Sequence, residues 1–177
     1  MKKTAFICIA TLCMATACKK SNSGSGSNYH MTATIDGTAE TFNVSPLAVN
    51  LTNSGETLIS IEGLSSSSSS AQSLALGWNN NVPNATLGVG TYSDTATSYS
   101  TIGTYDVSST ETYICGSDLA STASSIGSTI NHLKIVITSV DSTHIAGTFS
   151  GDFYLGEDLN GTIKTVTNGS FDVPWKK

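Results

Sequence analysis

Arginine is absent from this chain of 177 residues, and lysine is scarce. From Asn28 onward there are four lysines against thirteen acidic residues, a net charge of −9. Nucleic-acid binding is excluded on that ground, because it needs cations to neutralise phosphates. Phosphate and sulfate ligands are disfavoured too, since they usually want an arginine fork. Cysteine is nearly absent beyond the N-terminal region: Cys8 and Cys13 sit in the first apolar run, Cys18 just after it, and Cys115 stands alone. With Cys18 expected to be acylated, no intramolecular disulfide is available, and stability has to come from packing. Cys115, in "TYICGSD", has no basic neighbour to activate it and reads as a small buried hydrophobe. Also missing is any window with the 3.6-residue apolar period of an amphipathic helix. Helix, if present, is confined to a turn near 117–126.

The N-terminus carries an address. Lys2 and Lys3 precede an apolar run of ten residues, Ala5 to Met14. A membrane-spanning helix needs about 20 residues, so the run fits a secretory signal. The following Ala15-Thr16-Ala17-Cys18 resembles the lipobox of bacterial lipoproteins, where small residues admit the peptidase and the cysteine thiol is acylated. The alternative is ordinary cleavage after Ala17. Two or three acyl chains, at about 0.8 kcal/mol per buried CH₂, would make a permanent membrane anchor. "KKSNSGSGSN" (19–28) then reads as a flexible tether with an rms span of roughly 17 Å. The expected organisation is a signal peptide (1–17), a lipidated Cys18 with its tether (18–28) and one domain (29–177). Lys19 follows the cysteine, where an Asp would resemble the inner-membrane retention signal. Outer membrane is the expected destination. The basic tether favours its periplasmic face over the cell surface.

Strand signals fill the rest. "HMTATIDGTAETFN" (30–43) alternates around Asp36-Gly37, a dipeptide that favours a type I′ hairpin turn. "LAVNLT" (47–52) and "TLISIEGL" (57–64) flank the turn "NSGE", and "SLALGW" (73–78) follows a run of six serines. "NNNVPNATLGVGTYS" (79–93) reads as a loop with room for a short strand. "YSTIGTYDV" (99–107), "TYICG" (112–116), "HLKIVITSVD" (132–141), "THIAGTFSGDFYL" (143–155) and "TVTNGSFDVP" (165–174) are strands, while 120–129 reads as a loop. About nine short strands with Gly, Asn and Ser turns predict an all-β domain, an antiparallel sandwich or a partly closed barrel. In "HIAGTFSGDFYL", Ile145, Gly147, Phe149, Gly151 and Phe153 share one face. The aromatics supply core volume there, and the glycines permit bending or close approach.

"KIVITSVDSTHIAGTFSGDFYL" with "TVTNGSFDVP", and "MTATIDGTAETF" at the start, resemble the two ends of a group of small uncharacterised Bacteroidota envelope lipoproteins. Glu40 or Thr41 stands where an aromatic is common in them. The resemblance covers about 60 of roughly 150 folded residues. It implies a lipid-anchored β-sandwich-like domain and implies no activity.

Four groups of residues are candidates for chemistry. Asp152, Glu157, Asp158 and Asp172 cluster in the last hairpin, but "LGEDLNG" reads more simply as a polar loop than as a glycosidase pair, and its spacing is not that of an EF-hand. His30, His132 and His144 lie far apart, without a zinc-binding spacing, and no G-x-S-x-G elbow is present. No catalytic residue, metal or cofactor is therefore expected. Trp78 with Asn79 and Asn80, in "GWNNN", is the most binding-like patch: an indole could stack on a sugar face beside polar side chains, or could end a core strand. Thr95 in Asp94-Thr95-Ala96 and Ser142 in Asp141-Ser142-Thr143 resemble O-glycosylation acceptors of Bacteroides-type envelopes. The expectation is a non-enzymatic binding or accessory module, held to the membrane by its lipid, with a glycan or an envelope protein as partner. A lipocalin-like carrier of a small apolar ligand and a glycan-binding accessory domain are the alternatives.

Overall fold

The computed structural model describes residues 29–53, 56–80, 88–96 and 98–176. The signal segment, Cys18, the tether and Asn81 to Leu87 lie outside the described residues. The elements are β1 (His30–Ile35), β2 (Thr38–Thr41), β3 (Val44–Asn53), β4 (Glu56–Leu64), β5 (Ser73–Asn80) and β6 (Gly90–Ser93). They continue as β7 (Tyr99–Ser108), β8 (Glu111–Gly116), α1 (Ser117–Ser125), β9 (Lys134–Val140), β10 (His144–Leu155) and β11 (Ile163–Lys176). The all-β expectation holds. Strands number eleven among the described residues, against about nine anticipated. β6, four residues long, lies in the stretch that reads as a loop with room for a strand. α1 occupies the expected helical turn and extends into the part of 120–129 that reads as loop; its buried side chains are Leu119, Ala120 and Ala123.

All eleven strands belong to one mixed sheet whose pairings close on themselves through β11, β3, β4, β5, β7, β8, β10 and back to β11. This is nearer to the partly closed barrel than to two separately paired sheets. The expected purely antiparallel pairing fails at one place: β11 runs parallel to β3, with Trp175 beside Ala48 and Lys176 beside Val49. The reason is parity. Seven strands that alternate up and down cannot close without one pair running the same way. β1 and β2 continue from β11 as one flap, and β9 and β6 from β10 as another.

Local chemistry explains the turns and bends. Asp36 and Gly37 both take left-handed backbone, with φ of 49° and 82°, as a type I′ turn requires. The β10–β11 pair carries a bulge. Phe149 faces Gly169 and Gly151 faces Val166, so Ser150 opposes both Thr167 and Asn168, and Asn168 sits at φ 49°. β1 meets the same irregularity from the other side, between Thr32–Ser170 and Thr34–Thr167. The "TNG" stretch is therefore a bend in a long strand, where an extra residue steepens the twist.

Core placement follows the alternation. Ile145, Phe149 and Phe153 are buried with Phe171, Val173 and Val166. Ala48, Ile61, Leu76, Gly103 and Cys115 form one cross-strand row through consecutive pairings. Phe153 fills the space beside Gly103, where a Cβ would come within 2.8 Å of its ring. Gly147 is just as constrained, since a Cβ would collide with the Val136 carbonyl oxygen on β9 and meet the Phe171 ring. Gly147→Ala is expected to cost at least about 1–3 kcal/mol by overpacking. Gly90→Ala, with open space around it, is expected to change stability by no more than about 0.5 kcal/mol. Urea unfolding of the two variants checks the contrast.

Candidate functional site

Trp78 lies inside the fold and offers no stacking face to solvent. It is 1% exposed, with Tyr92 at 5.3 Å between ring centroids and Tyr99 edge-on to Tyr92 at 4.9 Å. The Tyr92 hydroxyl donates to Gly88 O at 2.7 Å and accepts from Gly88 N–H at 2.9 Å, which ties the start of β6 to this aromatic cluster. Asn80 is buried, as is the Asn79 Oδ1 atom. The candidate binding patch is thus drawn inward, because β5 pairs with β7 from Ser73 to Asn80 and with β4 from Ser73 to Asn79. Asn50, Ile59, Trp78 and Thr101 stand in one cross-strand row. Three of their polar atoms, Asn50 Oδ1, Trp78 Nε1 and Thr101 Oγ1, are buried without a hydrogen-bond partner.

The glycosylation candidates both reach solvent, on different supports. Thr95 is exposed and its hydroxyl shares a hydrogen bond with Ser93 Oγ at 3.1 Å. Its neighbour Asp94 is buried, accepting Leu133 N–H at 2.9 Å and meeting His132 Nδ1 at 2.9 Å. Ser142 is exposed in the β9–β10 turn. There Asp141 Oδ1 accepts from Thr143 N–H at 2.6 Å, Thr143 Oγ1 at 2.8 Å and His144 N–H at 3.0 Å. Those bonds, the Thr143 backbone first, pull the Asp141 carboxyl down to about 2.

The acidic residues of the last hairpin do not face one another across a cleft as a catalytic pair would. Asp152 is buried and accepts from Asn131 Nδ2 at 2.8 Å and Thr165 Oγ1 at 2.9 Å, while Asp158 caps its own loop at Asn160 N–H. Among the described residues no three His, Cys, Asp or Glu side chains gather as a metal site. Cys115 is buried, and burial pushes its thiol well above the usual value, with Asp94 adding to the effect.

A cleft that sequence reasoning missed opens at the end of the ring where β1 turns into β2. Its volume is about 250 Å³. Lys164 Nζ meets Asp36 Oδ2 at 2.9 Å, and Thr165 N–H donates to Asp36 Oδ1 at 2.9 Å. The Lys164 hydrogen bond holds the Asp36 carboxyl below its ordinary range, and Asp36 in turn raises the lysine. Lys164 also lies 5.8 Å above the Tyr113 ring, and Tyr113 donates its hydroxyl to Glu111 at 2.7 Å. Glu40, Glu111, Gln72 and Tyr105 complete the polar lining, over Ile35 and Val107. Asp36 and Lys164 are 128 positions apart, so no local pattern could have joined them.

Compared with protein-family profiles, with curated proteins and with solved structures, the chain matches none. Among the described residues no helix is long and apolar enough to cross a membrane.

Trp78→Ala is expected to destabilise the domain by about 3–5 kcal/mol; denaturant unfolding would show the loss directly. The Asp141 turn predicts a pH effect with a defined sign. A carboxyl lowered from 3.8 to about 2 adds stability that is fully present above pH 4 and is lost as pH falls through about 2. Asp141→Asn is therefore expected to melt below the parent at pH 7, with the gap closing at the acid end of that window.

Proposed function

We propose that this is a lipid-anchored cell-envelope protein of the small Bacteroidota lipoprotein type, a non-enzymatic binding or accessory module held at the outer membrane, on its periplasmic face. The observation that carries the reading is Ala15-Thr16-Ala17-Cys18 directly after a ten-residue apolar run, followed by a Gly/Ser tether. Strand direction supports a presenting role. β1 runs from His30 to the Asp36-Gly37 turn, about 17 Å at the usual rise. His30, the first residue of β1, therefore lies at the end of the domain opposite the Lys164 cleft. β11 likewise carries the chain from Lys164 at the cleft to Lys176 at the far end.

Interior packing favours a module over the lipocalin-like carrier. Leu74, Leu76, Ile61, Trp78, Phe153 and Phe171 are all nearly or fully buried on the inward side, where a carrier would keep a cavity for its ligand. Burial of Trp78 also removes the stacking platform on which the glycan-binding alternative at "GWNNN" rested. The non-enzymatic reading draws on the inert Cys115, on the pairing of His132 with Asp94 and of His144 with Asp141, and on the full occupation of Asp152.

Cys18→Ser is expected to abolish labelling by a fatty-acid analogue and leave the precursor at full length. Labelled, cleaved protein from that variant would sink the anchor. Denaturing mass spectrometry of protein extracted from its host's membranes reads the modification sites in the same sample. Mass above peptide plus lipid would report glycan, and its loss in Thr95→Ala or Ser142→Ala would locate it.

A further inference from the structure

Charge is divided unevenly between the two ends of the domain. The Lys164 end gathers the β1–β2 turn, the β7–β8 turn and the β10–β11 loop, which Gly156 N–H ties to Thr112 O on β8. It carries Asp36, Glu40, Asp106, Glu111, Glu157 and Asp158 against Lys164. The other end gathers the β3–β4 and β9–β10 turns, the start of β6 and the end of β11. Glu56 and Asp141 stand there with Lys176, and Lys177 comes next in the sequence. One end therefore has six carboxylates to one lysine, and the other two to two.

The less acidic end also presents an apolar side chain. β6 runs antiparallel to β9, with Gly90 beside Ile137 and Ser93 beside Lys134. Val89 therefore lies toward the β9–β10 turn. At 70% exposed, it is the most exposed large apolar side chain among the described residues.

The length of chain between anchor and domain does not by itself fix which end meets the membrane. Twelve positions separate Cys18 from His30, a reach of at most about 40 Å. Charge makes the choice. β11 alone spans fourteen residues, roughly 40 Å of strand, against a screening length of about 8 Å in physiological salt. Only the end turned toward a bilayer feels its surface potential. Turning the Lys164 end toward an anionic surface brings six carboxylates into a repelling field. Turning the other end brings Lys176 and Lys177 into an attracting one, next to Lys19 and Lys20 beside the anchor.

We propose that the end formed by Val89, the β9–β10 turn and Lys176 docks on the anionic phospholipid surface to which the chain is anchored, holding the acidic end outward. The inference rests on the lipid-anchor reading and gives the anchored module its orientation.

Energy transfer in vesicles rebuilt with the mature, lipidated chain tests it. A donor dye is attached through Ser142→Cys in the β9–β10 turn or Asn160→Cys in the β10–β11 loop, with the acceptor on a lipid headgroup. Both positions are exposed and Cys115 is buried, so the dye goes to the introduced thiol. In phosphatidylcholine vesicles with about one-third phosphatidylglycerol, transfer from position 142 is expected to exceed that from position 160 at least about twofold. The contrast is expected to fall by half or more in about 0.5 M salt, in pure phosphatidylcholine, and in Lys176→Glu/Lys177→Glu or Val89→Asp. Equal transfer from the two positions, or stronger transfer from 160, would overturn the docking. So would a contrast that survives unchanged in salt and in neutral lipid. The two labelled chains decide the matter without the charge variants, so a variant that fails to fold does not spoil the test. Flotation with the vesicles scores the anchor separately. A chain that does not float removes the anchor and the docking with it, whereas a chain that floats without contrast removes the docking alone.

Discussion

The pairing of β10 with β11 is the constraint on which the other pairings depend. These are the two longest strands, of twelve and fourteen residues, and each changes its second neighbour along its length. β10 lies beside β9 from Ile145 to Ser150 and reaches β8 at Tyr154 and Leu155. β11 lies beside β1 from Val166 to Asp172 and reaches β3 at Trp175. One hairpin thereby closes the ring and carries both flaps. A straight pair could not do both, and the bulge at Thr167–Asn168 supplies the bend. Gly169 is required there for a second reason, since a Cβ would meet the Phe149 carbonyl oxygen at 2.6 Å.

Closure has consequences for the interior. A ring of seven strands needs one parallel pair, and the short β3–β11 contact of two residue pairs satisfies that need with little parallel sheet. Small and large residues alternate across the inside, as Gly103 does against Phe153, so the volume fills without strain. Polar atoms in the row through Asn50, Trp78 and Thr101 lack protein partners, as do Asn79 Oδ1, Asp172 Oδ1 and Trp175 Nε1. Groups of that kind are usually met by ordered water.

Scarcity of charge shapes the surface. With few lysines and no arginine, hydroxyls and short local bonds stand beside the few ion pairs at turns, such as Asp36 with Lys164 and Asp141 with His144. Asp141 collects three donors from Thr143 and His144, and Ser68 bonds Ser70 within the serine run. A bond formed inside three residues costs little chain entropy, so the loops need no long side chains to hold them.

Much of this was legible in the residues. Strand signals identified β1 to β5 and β7 to β11, because a half-buried strand leaves its pattern in neighbouring positions. Asp36-Gly37 announced its turn, because only certain residues take positive φ cheaply. The inward face of Ile145, Phe149 and Phe153 was readable for the same local reason. Other features depend on which distant strands meet. The parallel contact follows from the number of strands in the ring, which no segment encodes by itself. Trp78 can be read as a binding platform or as the end of a core strand until both neighbours of β5 are known, and pairing with β4 and β7 buries it. Asp36 and Lys164 form a site because β1 and β11 lie side by side, 128 positions apart in the chain. Local sequence determined the secondary structure, the turn chemistry and the charge deficit, which are short-range properties. Closure of the ring, burial of the indole and assembly of the cleft were decided by long-range pairing, where separation along the chain says nothing about separation in space.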